Sequence, residues 1–241
     1  LQLNAKFILY FCIKFKKVGS KNKLKRFREN ETFGNVFQPT REDIVDTVFP
    51  LKGNWNKEVF KNDNPIVLEL GCGKGEYSVG LAARYPEKNF IGIDIKGARF
   101  WRGAKTAVEN GLNNVAFIRT QIELIEDVFA ENEVSEIWIT FPDPQIKYKR
   151  TKHRLTNSEF LQRYKKILNE TGVVNLKTDS EFMHGYTLGL LHGEGHEVIY
   201  ANHDVYKNEG APEVVTTIQT FYESQYLEIN KAITYIQFRI K

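Results

Sequence analysis

Apolar positions along this chain fall into two regimes. Residues 18–64 are polar and rich in turn-formers, whereas from residue 65 onward short apolar runs alternate with stretches of helical spacing. PIVLEL (65–70) predicts a buried strand ending in the turn GCGKG, and YSVGLAARY (77–85) predicts a helix. NFIGIDI (89–95) predicts a second strand, and residues 97–110 a helix closed by Asn110-Gly111. VAFIR (115–119) and EIWITF (136–141) predict the third and fourth strands. A helix at about 157–169 leads into GVVNLKTD (172–179), the fifth strand. A helix at about 180–192 leads into HEVIYANHD (196–204), and AITYIQFRI (232–240) alternates as a closing strand does. Strands separated by helices predict an α/β fold: a doubly wound, mostly parallel sheet covered by helices on both faces. Ligands of such sheets bind beyond the carboxyl ends of the strands.

Composition changes this picture little. A chain of 241 residues with 41% hydrophobic and 27% charged residues suits one sizeable globular core. Charge distribution adds more. The net charge is +4, yet residues 1–28 hold nine Lys/Arg and no acid, which leaves the rest at −5. Such an arm on a mildly acidic body suggests a polyanionic partner. Residues 1–17 are expected to be an upstream extension; their apolar run is short, broken by Lys6 and Lys14, and lacks a signal-peptide cleavage site. The expected organisation is therefore 1–17 extension, 18–64 basic arm and lead-in, and 65–241 catalytic domain. Cys12 and Cys72 form no framework, which points to a reducing cytoplasm, and no Cys/His cluster has metal-ligand spacing. The expectation is no metal and no membrane.

The chemistry begins at LELGCGKGE. Gly71, Gly73 and Gly75 follow the first strand, where glycine permits a tight turn and close approach of a ligand. A dinucleotide fingerprint would need glycine at 76, where Glu76 stands. Glu69 would repel a phosphate but suits a cationic amino group. Asp94 ends the second strand, where a carboxylate can accept from both ribose hydroxyls. These residues together resemble the class I S-adenosylmethionine-dependent methyltransferases, with their Rossmann-like fold. The resemblance implies that Gly71, Gly73 and Gly75 line the methionine end of the cofactor, with Glu69 nearby, and that Asp94 meets the ribose. It also implies that Gln121, after the third strand, meets the adenine.

FPDPQIKYKRTKHRLT (141–156) follows the fourth strand directly. Pro142 and Pro144 restrict the backbone around Asp143. Lys147, Lys149, Arg150, Lys152 and Arg154 follow, a density that suits phosphate binding rather than a solvated face. Asp179 ends the fifth strand, and TFYE (Thr220, Phe221, Tyr222, Glu223) precedes the last.

Taken with SKNKLKRFRENETFGNVFQ, the order of LELGCGKGE, FPDP…K, KTD and T-x-Y-E resembles the bacterial tRNA (guanine-N7-)-methyltransferase family over roughly residues 20–241. The resemblance implies methyl transfer from S-adenosylmethionine to guanine N7 at position 46, in the tRNA variable loop. It makes Asp143 the active-site acid, also near the cofactor, and Lys147, Asp179, Thr220, Phe221, Tyr222 and Glu223 substrate-binding. Gln145-Ile146 stands where the family usually has Trp-Pro or a similar pair. Two alternatives stay open: a class I methyltransferase for a different RNA base or a protein, and a non-catalytic RNA-binding domain.

Overall fold

A computed structural model describes residues 22–241. The extension expected at 1–17, Cys12 and the first part of the basic arm lie outside the described residues. Of the segment expected to be a basic arm, the described residues open on helix α1 (Lys23–Asn30). It lies on α4 (Gly97–Glu109), with Glu29 paired to Lys105 at 3.2 Å and accepting a hydrogen bond from Trp101 Nε1.

Eight strands form one sheet in the order β1-β4-β3-β2-β5-β6-β8-β7. Their ranges are β1 Val36–Phe37, β2 Ile66–Leu70, β3 Asn89–Ile93, β4 Val115–Ile118, β5 Val134–Thr140, β6 Leu168–Thr178, β7 Glu197–Asn202 and β8 Thr234–Arg239. The run from β1 to β6 is parallel, and β8 inserts antiparallel between β6 and β7. The seven strands expected from residue 65 onward are all present. The edge strand β1 is an addition that two residues of sequence could not announce.

Period-two alternation divides the core. Leu68, Leu70, Ile91, Ile93, Ile137 and Ile139 face one helical layer, where α6 (Ser158–Ile167) and α7 (Glu181–Gly193) contribute Phe160, Leu161, Tyr164 and Leu191. Val67, Phe90, Phe117 and Trp138 face the other, where α3 (Glu76–Arg84) and α4 contribute Tyr77, Leu81 and Phe100. The described part of the polar stretch, residues 22–64, is built into this body. Trp55, fully buried in a π-helical turn (Trp55–Phe60), stacks on Phe129 at 5.6 Å and meets Phe37 edge-on at 5.3 Å.

Strand order reverses between β2 and β5, so their following loops diverge and leave a crevice at their carboxyl ends. The glycine loop and the FPDP loop are those two loops. Among the described residues, no helix is long and apolar enough to cross a membrane, and no three His/Cys/Asp/Glu are grouped to hold a metal.

Candidate active site

The glycine loop folds back over the end of β3. Gly71 N and Cys72 N both donate to Ile93 O, at 2.8 and 3.0 Å. Gly71, Gly73 and Gly75 have φ of +72°, +55° and +73°. They are glycine for different reasons. A Cβ on Gly75 would stand 2.6 Å from the Phe117 ring, so that position is fixed by packing. A Cβ on Gly71 would meet no atom within 4 Å, so the strand end opens onto a cradle that a ligand can enter.

Two acids brace this loop. Asp94, largely buried, accepts from Gly73 N at 3.0 Å through Oδ2 and from Lys96 N at 2.8 Å through Oδ1. Glu69 is buried and accepts from Ser78 N (2.8 Å), Ser78 Oγ (2.5 Å) and Thr140 Oγ1 (2.7 Å). Burial pushes its carboxyl from 4.5 up to about 7, against the pull of those three donors. Gln121 is exposed at the end of the loop after β4, and its Oε1 accepts from Arg41 Nη1 at 3.1 Å.

On the other side of the crevice, Phe141 takes a left-handed φ of +49° while its N–H donates to Lys177 O at 2.8 Å. The chain thus turns sharply off β5 and presents Asp143 at the surface. Asp143 Oδ1 accepts from Gln145 N at 3.1 Å, and Gln145 is also left-handed, at φ +47°. An open depression of about 330 Å³ lies here, lined by Asp143, Pro144, Gln145, Ile146, Lys147 and Arg150.

The basic run separates into two roles. Lys147, Lys149, Arg150 and Lys152 are exposed on or beside a 3-10 helix, Tyr148–His153. Arg154 was expected among them and is not: it is buried, donates through Nε to Gln145 O and through Nη2 to Ile146 O (both 3.2 Å), and lies 4.4 Å from the centre of the Tyr186 ring. Two carbonyls and an aromatic face replace its water, so it locks the loop instead of facing a phosphate. Its grip also falls on Gln145-Ile146.

The TFYE segment opens α9 (Phe221–Glu228) with a capping box between Thr220 and Glu223. Glu223 is fully buried and does not line the crevice; it pairs with Lys177 and accepts from Tyr206 Oη at 2.8 Å. Phe221 and Tyr222 reach the glycine loop instead. Phe221 N donates to Glu76 Oε2 at 2.9 Å, Lys74 Nζ lies 3.5 Å from the Phe221 ring centre, and Arg99 Nη2 donates to Tyr222 Oη at 3.2 Å. No role for Lys74, Glu76 or Arg99 follows from the sequence pattern. Glu76 carried a signal all the same, since it stands where a dinucleotide loop has glycine. Asp179, at the end of β6, pairs with Lys231.

A family model described as "Putative methyltransferase" matches residues 63–236. A Christiangramia forsetii protein named tRNA (guanine-N(7)-)-methyltransferase is 76% identical over 224 residues, which is 93% of this chain and 100% of its own. The chain belongs to that family. A member from Bacteroides fragilis with the same name is 49% identical, covering 90% of this chain and 85% of its own. Solved structures show the fold alone. A 16S rRNA methyltransferase, KamB, superposes with a TM-score of 0.59 at 13% identity, covering 77% of this chain and 92% of that one. The family's sheet is thus shared with methyltransferases of very different sequence.

Proposed function

We propose that this protein transfers a methyl group from S-adenosylmethionine to guanine N7 in tRNA, at position 46 of the variable loop. One observation carries the reading: the open cradle at Gly71 and the acid Asp143 sit on the two loops that flank the switch between β2 and β5. When bound, S-adenosylmethionine supplies an electrophilic sulfonium methyl. Gly71, Gly73 and Gly75 would line its methionine end and Asp94 its ribose. Gln121 would lie by the adenine. Glu69 would support the loop from beneath, a buried carboxyl whose charged form an amino group would favour.

Guanine N7 bears an exposed lone pair and no proton. Attack therefore needs alignment more than a base, and alignment alone can supply much of the rate. Asp143, fixed between two left-handed turns, orients the base and stabilises the positive charge that the purine gains. Asp179 accepts from the guanine edge that carries the N1–H and exocyclic amine donors. Lys147 begins the substrate contact, and Lys149, Arg150 and Lys152 hold the RNA backbone, as do the cations of the arm. Phe221 and Tyr222 cover the cofactor side of the base, placed there by Thr220 and Glu223. A cytoplasmic setting follows from a tRNA substrate.

Methyl transfer from labelled S-adenosylmethionine to unmodified tRNA, followed by nucleoside analysis, tests this. The expected product is 7-methylguanosine alone, and label in another nucleoside would overturn the reading. In the same assay Asp143→Ala should lose transfer while cofactor affinity stays within about tenfold.

A further inference from the structure

We propose that Lys231 is a positioning residue for base selection: it aims the Asp179 carboxylate so that guanine is preferred over purines lacking its 2-amino group. The inference rests on the reading of Asp179 as a guanine acceptor.

Asp179 lies at the end of β6, on the rim that also carries the FPDP loop, and two positions earlier Lys177 O holds Phe141 N. Its Oδ2 accepts from Lys231 Nζ at 2.5 Å. The position of that ammonium is built, not incidental. Lys231 follows α9, whose end is closed by Asn230 in the left-handed region at φ +54°. Asn230 N donates to Leu227 O at 3.0 Å and Lys231 N to Tyr226 O at 2.9 Å, the two bonds of a Schellman closure. The Lys231 ammonium then lies 4.8 Å from the centre of the Tyr226 ring, and that ring stands 6.1 Å from the Phe141 ring. A helix end, an aromatic face and an ion pair thus converge on one carboxylate oxygen.

Stability gives little reason for this convergence. Lys231 is 43% exposed and Asp179 15%, and ion pairs this open contribute little to folding. Direction is the better explanation. A carboxylate tied through Oδ2 has one oriented oxygen, Oδ1, to offer a donor. Guanine presents N1–H and an exocyclic amine on one edge, whereas inosine presents N1–H alone. Discrimination between them therefore depends on where the carboxylate points, and Lys231 sets that.

The test compares kcat/KM for tRNA carrying guanine or inosine at the target position. In Lys231→Met, the preference for guanine should fall about tenfold, the scale of one lost specific base contact. Lys231→Arg should keep most of it, and cofactor binding should be unchanged in both. An equal loss on both substrates in Lys231→Met would mean a merely structural role and would overturn the inference. So would an unchanged preference in Lys231→Met when Asp179→Asn loses it, which leaves the reading of Asp179 standing. An unchanged preference in Asp179→Asn would remove that reading and the inference with it.

Discussion

Lys177 Nζ and Glu223 Oε1 meet at 2.6 Å with neither side chain exposed. The pair joins three segments of the site. Lys177 is in β6, its carbonyl receives Phe141 N from the FPDP loop, and Glu223 closes the capping box of α9. Lys177 also donates to Ile218 O at 3.1 Å. Burial pushes the Glu223 carboxyl up and the Lys177 ammonium down, and each partner's charge opposes that push. Breaking the pair from one side strands a buried charge. Lys177→Met is expected to lower unfolding free energy by about 3–5 kcal/mol, with Lys177→Met/Glu223→Gln recovering most of the loss. Urea denaturation measures both, and additive losses would contradict the coupling.

Glu69 gives a pH dependence of defined sign. Its carboxyl titrates near 7 in the folded chain against an ordinary 4.5, because burial disfavours its charge. The folded state therefore holds more proton between those values. Its contribution to stability is complete below about 4.5 and is lost as pH rises through about 7, by about 3 kcal/mol in all. Glu69→Gln should lack this slope. Unfolding free energies of the two proteins at pH 5 and pH 8 would show it as a changing difference.

The two ends of the glycine loop should respond differently to one added methyl. Gly71→Ala meets open space and carries mainly the left-handed backbone cost, about 1–2 kcal/mol. Its methyl enters the cradle, so cofactor affinity should fall by about tenfold or more. Gly75→Ala also drives a Cβ into Phe117 and should lose about 1–3 kcal/mol more stability. Thermal melts and cofactor titration separate the two effects.

The basic loop should divide as the structure divides it. Neutralising Lys149, Arg150 and Lys152 should weaken tRNA binding and flatten the slope of log K against log salt by about 2–3. Arg154→Lys keeps the charge but loses the fork that holds Gln145 and Ile146. That variant should lower turnover while leaving the salt slope unchanged.

Seven of the eight strands, and the place of the candidate site at their carboxyl ends, are legible in the residue pattern alone. β2, with every residue buried, was legible as an apolar run because a central parallel strand has no polar face. Gly71 and Asp94 directly follow β2 and β3, and Gly73, Gly75 and Asp143 lie within five residues of a strand end, so the strands point to them. What the charges do is visible only once the chain is folded. Arg150 and Arg154 are four positions apart on one basic run, yet one faces solvent and the other is buried on two carbonyls. Glu223 stood in a motif assigned to substrate and lies paired beneath it, with a partner 46 positions away. Glu76 reaches Phe221 across 145 positions. Trp55 gave no periodic signal in a polar stretch and became part of the core. Apolar pattern is local and survives in the sequence, whereas desolvation and ion pairing depend on which distant segments meet.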